Sequence, residues 1–216
     1  INGDAGDDTI DASNIVGAGG GGAGDVLVEI DGGAGADFIT LDGDADVAVD
    51  INSTVIATAD ADVVIADFTT GTDNFDYNGD LSNGSNTAVN GNTSDAADLA
   101  TAIAADNDNV VYELTDNLTG TAATELDALA DATTKATMLE EAEDLIAAIA
   151  SAHSSVTGLD AAIGEDEAVL LIFDDGTDSV IFRFTNTTAS GNAITADELQ
   201  LVGVFNDAVI VDGDLI

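Results

Sequence analysis

The chain has 216 residues, 43 of them Asp or Glu and only two basic, Lys135 and Arg183, for a formal charge of −41. That balance argues against nucleic acid as a partner, since no basic patch is there to meet phosphates, and an anionic membrane surface would repel the chain. Hydrophobic residues make up 45% and mean hydropathy is +0.22, which provides a core and argues against an acidic disordered tail.

Self-repulsion on this scale opposes a compact state, so bound divalent cations, salt or both are expected to offset it. Aromatics are 4% and Trp is absent, so the core must be aliphatic. Cysteine is absent too, which removes disulfides, thiolate metal sites and thiol catalysis together. No apolar run reaches the roughly 18 residues a membrane span needs, so no transmembrane segment is expected. A signal peptide's charged start and apolar stretch are also missing. The chain opens on Ile1 inside what reads as a repeat, which suggests a fragment or processed product of a longer chain.

In residues 1–80, six stretches share one pattern: a small-residue turn, an Asp, then a hydrophobic-rich triplet. The opening acids are Asp8, Asp25, Asp37, Asp46, Asp62 and Asp73, at spacings of 17, 12, 9, 16 and 11. Residues 32–40, GGAGADFIT, fit G-G-x-G-x-D-x-U-x, the calcium-binding nonapeptide of a parallel β-helix repeat. The β-branched and aliphatic triplets suit short buried strands. The expected fold is mainly β: a calcium-binding parallel β-roll, or solenoid, over 1–80, a loop and helical insertion over 81–160, and a C-terminal β region over 161–216.

Residues 81–93 read as a polar loop, and Ser94 as the cap of a helix over 95–105. Residues 109–114 read as a strand. A helical pattern covers 122–153, with Thr121 or Thr124 as cap and Thr133-Thr134 as a point of division. Leu139, Ala142, Ile146, Ile149 and His153 fall on one face of it. Residues 168–173 and 179–185 flank the turn signal Asp174-Asp175-Gly176-Thr177 and read as a hairpin. Residues 194–205 read as a capped turn and a strand.

Calcium takes six to eight oxygens from carboxylates and carbonyls. The glycine-rich turns offer carbonyls, with Gly3, Ala5, Gly32 and Ala34 as candidates. Asp8, Asp25, Asp37, Asp46, Asp62 and Asp73 offer carboxylates. Asp42, Asp44 and Asp46 imitate the start of an EF-hand loop, but Val47 replaces the required Gly and Ser53 the bidentate Glu. His153, the only His, reads as a helix-end or surface residue, and no nucleophile elbow surrounds Ser154 and Ser155. Paired acids are too numerous to point to glycosidase chemistry. Arg183, between Phe182 and Phe184, is expected to face outward and pair with acids. Sequons at Asn52, Asn83, Asn92, Asn117 and Asn186 are of the kind an Asn- and Thr-rich chain produces by chance.

Three segments carry a family resemblance. The first is the turn at 32–40 with its weaker copy at 3–11, GDAGDDTID. The second is 64–76, VIADFTTGTDNFD. The third is 173–184, FDDGTDSVIFRF, with 194–203, ITADELQLVG. Together they resemble the repeats-in-toxin (RTX) proteins secreted by bacterial type I systems, and the third is similar to the C-terminal region of large surface-layer members. The resemblance implies an uncleaved secretion signal in roughly the last 40 residues, export through the type I machinery, and folding outside the cell on Ca2+. The chain departs from the family pattern where turns at Asp44-Ala45-Asp46 and Asp60-Ala61-Asp62 lack Gly.

With no catalytic constellation visible, the expected function is non-enzymatic. The chain reads as a calcium-stabilised, self-assembling extracellular structural protein at a bacterial cell surface, a surface-layer, filament or sheath subunit whose partners are copies of itself. The alternative is the C-terminal secretion and folding module of a larger RTX exoenzyme, toxin or adhesin.

Overall fold

The computed structural model describes residues 1–14, 26–41, 47–53, 58, 61–66, 68–77, 81, 91–94, 111–114, 118–152, 167–187, 194–211, 214 and 215. The first six strands are β1 (Thr9–Asp11), β2 (Val26–Asp31), β3 (Phe38–Thr40), β4 (Val47–Ser53), β5 (Asp62–Ala66) and β6 (Asn74–Tyr77). Each of the six hydrophobic-rich triplets lies within one of them. Odd-numbered strands pair in parallel with one another, as do even-numbered strands, so successive strands enter different sheets.

Two further strands, β7 (Gly91–Ser94) and β8 (Val111–Leu114), precede the helices α1 (Thr121–Ala130) and α2 (Lys135–Ala152). The chain then forms β9 (Ala168–Asp174), β10 (Ser179–Thr185), a 3-10 turn (Ala196–Glu198) and β11 (Leu199–Phe205). One sheet has eight strands in the order β1-β3-β5-β11-β10-β9-β8-β7, and the other three in the order β2-β4-β6. Within the larger sheet only β10 runs against its neighbours.

This corrects the expected fold class. The protein is mixed α/β rather than a mainly β parallel roll or solenoid with appendages. The first strands do not close on themselves as a separate solenoid. They run into the C-terminal hairpin, because β11 lies against β5 with Gly203 opposite Asp62 and Phe205 opposite Val64. The physical reason lies in the core. Phe205 meets Phe68 edge-on at 5.0 Å and Phe75 at 5.4 Å, so the N-terminal strands bury their aromatics under β11. Aromatic pairs of this geometry add about 0.5–1.5 kcal/mol beyond the area they bury.

Local sequence accounts for the central strands. In β9 the run Ala168 to Phe173 is buried throughout, as a strand covered on both faces requires. In β10 only Arg183 and Thr185 are partly exposed. The Arg183 guanidinium donates to Thr185 Oγ at 2.6 Å and to Gln200 Oε1 at 3.3 Å.

The helices form where the apolar period is 3.6 residues. Leu126, Leu129 and Ala130 of α1 are buried, as are Met138, Ala142, Leu145, Ile146 and Ile149 of α2. Each such Leu or Ile contributes about 1.5–3 kcal/mol by burial. The division falls at Thr133-Thr134, and Thr134 Oγ caps α2 by accepting from Thr137 N at 3.2 Å. Neither expected threonine caps α1. It starts after Gly120, whose φ of 62° suits glycine, and has no side-chain cap bond. The helix expected over 95–105 lies outside the described residues, as do His153, Ser154 and Ser155.

Candidate cation-binding turns

Parallel register brings the strand-opening acids together. Thr9 is opposite Phe38, and Phe38 opposite Val63, so Asp8, Asp37 and Asp62 stand in one row across β1, β3 and β5. The turns before β1 and β3 stack with an offset of 29 residues. Gly3 N donates to Asp31 O at 2.9 Å, Ala34 N to Asp4 O at 2.9 Å, and Gly6 N to Ala34 O at 2.7 Å. Ala5 and Ala34 form a parallel bridge between the turns. Gly33 and Gly35 hold φ values of 98° and 135°, which side-chain-bearing residues rarely adopt.

The row is short of hydrogen-bond donors. Asp37 is fully buried; its Oδ1 accepts from Asp8 N at 2.9 Å. Asp37 Oδ2 and Asp8 Oδ2 are buried and have no hydrogen-bond partner among the described residues. Burial holds the Asp37 carboxyl above its ordinary range; Asp8 N pulls it back, and the charges of Asp8, Asp7 and Asp31 raise it further. Several acids facing one buried carboxylate are electrostatically unfavourable unless a cation joins them or the buried carboxyl keeps its proton.

Glycine makes the space. A Cβ on Gly32 would collide with the carboxylate of Asp37, and one on Gly3 would come within 2.8 Å of Asp8 Oδ2. Each turn's first glycine therefore leaves room beside the carboxylate five residues later. The donor set, carboxylates beside stacked main-chain carbonyls, is the hard-oxygen chemistry that suits Ca2+. The residues present fit such an ion, and Asp8, Asp37, Gly3 and Gly32 are those that would hold it.

The remaining candidates separate. Asp62 is 2% exposed, at the head of β5 in the same row. Asp73 is buried away from it, with Oδ1 accepting from Val49 N at 2.9 Å and Oδ2 from Thr69 N at 2.8 Å. Asp25 and Asp46, with the EF-hand-like Asp42 and Asp44, lie outside the described residues.

Two features had no signal in the sequence. Lys135 Nζ, at the start of α2, is 2.9 Å from Asp7 Oδ1, and that oxygen also accepts from Ala36 N at 3.1 Å. One of the chain's two cations thus ties the helices to the stacked turns, and its hydrogen bond holds the Asp7 carboxyl below its ordinary range. Glu125, Glu141 and Asp144 bring carboxylate oxygens within 4.8 Å of one another between α1 and α2, with none of the three buried. Their positions, 16 and 3 apart, reveal nothing until the helices are packed.

Among the described residues no helix is long and apolar enough to cross a membrane. Comparison with known proteins gives no match: no family model fits the chain, and neither a curated protein nor a solved structure is significantly similar to it.

Proposed function

We propose that this chain is a calcium-stabilised structural protein of the bacterial cell exterior that assembles with copies of itself and does no catalysis. The observation that carries the reading is the pair of buried carboxylate oxygens, Asp8 Oδ2 and Asp37 Oδ2, without donors among the described residues, in glycine-lined turns. A divalent ion there would supply the missing partner and offset part of the −41 charge. The resemblance of 3–11 and 32–40 to RTX turns supports Ca2+ as the ion and type I export as the route. In a calcium-poor cytoplasm the acids would repel one another and hold the chain open; outside the cell the ion would close the turns.

The test is circular dichroism and thermal melting of the whole chain with a chelator and then with millimolar Ca2+, followed by negative-stain imaging. Ordered assemblies and a higher melting midpoint with Ca2+ are expected. A midpoint indifferent to Ca2+ overturns the ion, and monomers under every calcium condition overturn the assembly.

A further inference from the structure

Among the described residues the eight-stranded sheet ends in two edges with no further strand on them, β1 and β7, and the topology fixes their directions. From β1 through β3, β5 and β11 the strands are parallel. The antiparallel β10 reverses the direction once and β9 restores it, after which β8 and β7 follow in parallel. The two outermost strands, β1 and β7, therefore point the same way. A second copy brought alongside without being turned over would present β7 to β1 as one more parallel strand.

The β1 edge has backbone groups to spare. Asp8 O accepts from Phe38 N at 2.9 Å and Ala12 N donates to Thr40 O at 2.8 Å, so residues 8, 10 and 12 bond inward to β3. Alternation along a parallel strand turns the N–H and C=O of Thr9 and Asp11 outward, where they have no strand partner among the described residues. The β7 edge is equally without a neighbouring strand among the described residues.

Charge selects the pair. Asp4, Asp7, Asp8 and Asp11 crowd the β1 edge, so an acidic strand would be repelled there. The fourteen residues 81–94, which end in β7, carry no charge. A copy of β1 laid on β1 would bring like charges together and would have to run antiparallel under a twofold axis.

We propose that copies of this chain add head to tail, β7 of one lying parallel against β1 of the next, into an open filament with a continuous sheet. This rests on the self-assembly reading above and gives it an interface and a polarity. The two surfaces differ, so nothing caps growth, and the twist of each sheet would wind the filament into a helix.

The test uses the full chain in millimolar Ca2+, read by sedimentation velocity and negative stain. Thr9→Pro removes an outward N–H and leaves the inward ladder to β3 intact. Of Asn92→Pro and Thr93→Pro, the one that keeps the wild-type dichroism spectrum blocks β7. The wild type is expected to form filaments and each blocked variant to lose them. An equimolar mixture of the two variants should stop at dimers, because only one compatible pair of edges survives. Filaments from Thr9→Pro alone, or from the mixture, overturn the edge pairing and leave the self-assembly reading standing. Monomeric wild type overturns both.

If the proline variants do not fold, the absence of native cysteine gives a second route. Thr9→Cys mixed with Thr93→Cys should cross-link through a short bismaleimide, and neither should cross-link alone. Self-cross-linking of Thr9→Cys, or no cross-link in the mixture, overturns the pairing.

Discussion

Two buried carboxylates at opposite ends of the chain show what separates a structural acid from a binding one. Glu198 is 2% exposed, yet its oxygens accept from Thr195 N at 3.0 Å, Thr195 Oγ at 2.8 Å, and Thr187 N and Oγ at 3.3 Å. Asp37, equally buried, accepts one bond from Asp8 N and faces three other acids. The C-terminal corner supplies its own donors, in a reciprocal box that also closes the 3-10 turn. The N-terminal turns supply one amide to Asp37 Oδ1 and leave its Oδ2 with no hydrogen-bond partner among the described residues. Burial alone therefore says little about a site; the balance of donors and acceptors around the buried group says more.

That contrast can be broken or sharpened by experiment. The largest effect is expected from Glu198→Ala, which strands two main-chain amides: a loss of about 3 kcal/mol in denaturant melts, equal with and without Ca2+. Calcium itself should stabilise the protein by about 2.7 kcal/mol for each site at a hundredfold excess over Kd. Hydrogen exchange should then slow at the amides of Ala34, Ala36 and Phe38 and stay unchanged at Thr187 and Thr195. Equal slowing at both ends would erase the contrast.

Asp37→Asn should change sign with the medium. With Ca2+ it costs about 1–2 kcal/mol; with chelator it is neutral or stabilising, because a buried charge has been removed. A uniform cost in both media would make Asp37 an ordinary structural acid.

The pH dependence follows the same logic. Burial raises the folded-state pKa of Asp37, Asp174 and Asp178 above the unfolded value. Their stabilising protonated form is fully present below the unfolded pKa and is lost as pH rises through the raised folded value. In chelator the melting midpoint should therefore rise as pH falls from neutral toward the ordinary carboxylate range, about 4. Calcium should flatten the share of that slope due to Asp37 while leaving that of Asp178, which accepts from Asp207 N at 2.7 Å. The smallest effect is expected from Lys135→Met. Its ion pair with Asp7 is solvent-exposed, so the loss is slight and shrinks further in high salt.

Local features were legible in the sequence because their causes are local. The hairpin at 174–179, the capped turn at Thr195 and the break at Thr133-Thr134 each follow from a few adjacent residues. So do the strands that open after an Asp. What could not be read is the order of strands. Nothing near Asp62 announces Gly203 as its neighbour, since the pairing is decided by the fit of Phe205 against Phe68 and Phe75. The same limit hid the bond from Lys135 to Asp7 and produced the expectation of a separate parallel solenoid. At the candidate site, the sequence picked out Asp8 and Asp37 through their glycine spacing. It placed Asp73 with them because its local pattern matches, and the backbone amides that occupy its oxygens come from residues 49 and 69.

The seat of β11 between β5 and β10 also sets an order of events. Until residues 199–205 are present, β5 is an open parallel edge with aromatics beneath it uncovered. A ladder joining residue 62 to residue 203 closes a long loop, which is slow compared with forming hairpins or helices. The late strand acts as a lock on timing, committing the larger sheet to its final order only once residues near 62 and 203 can meet.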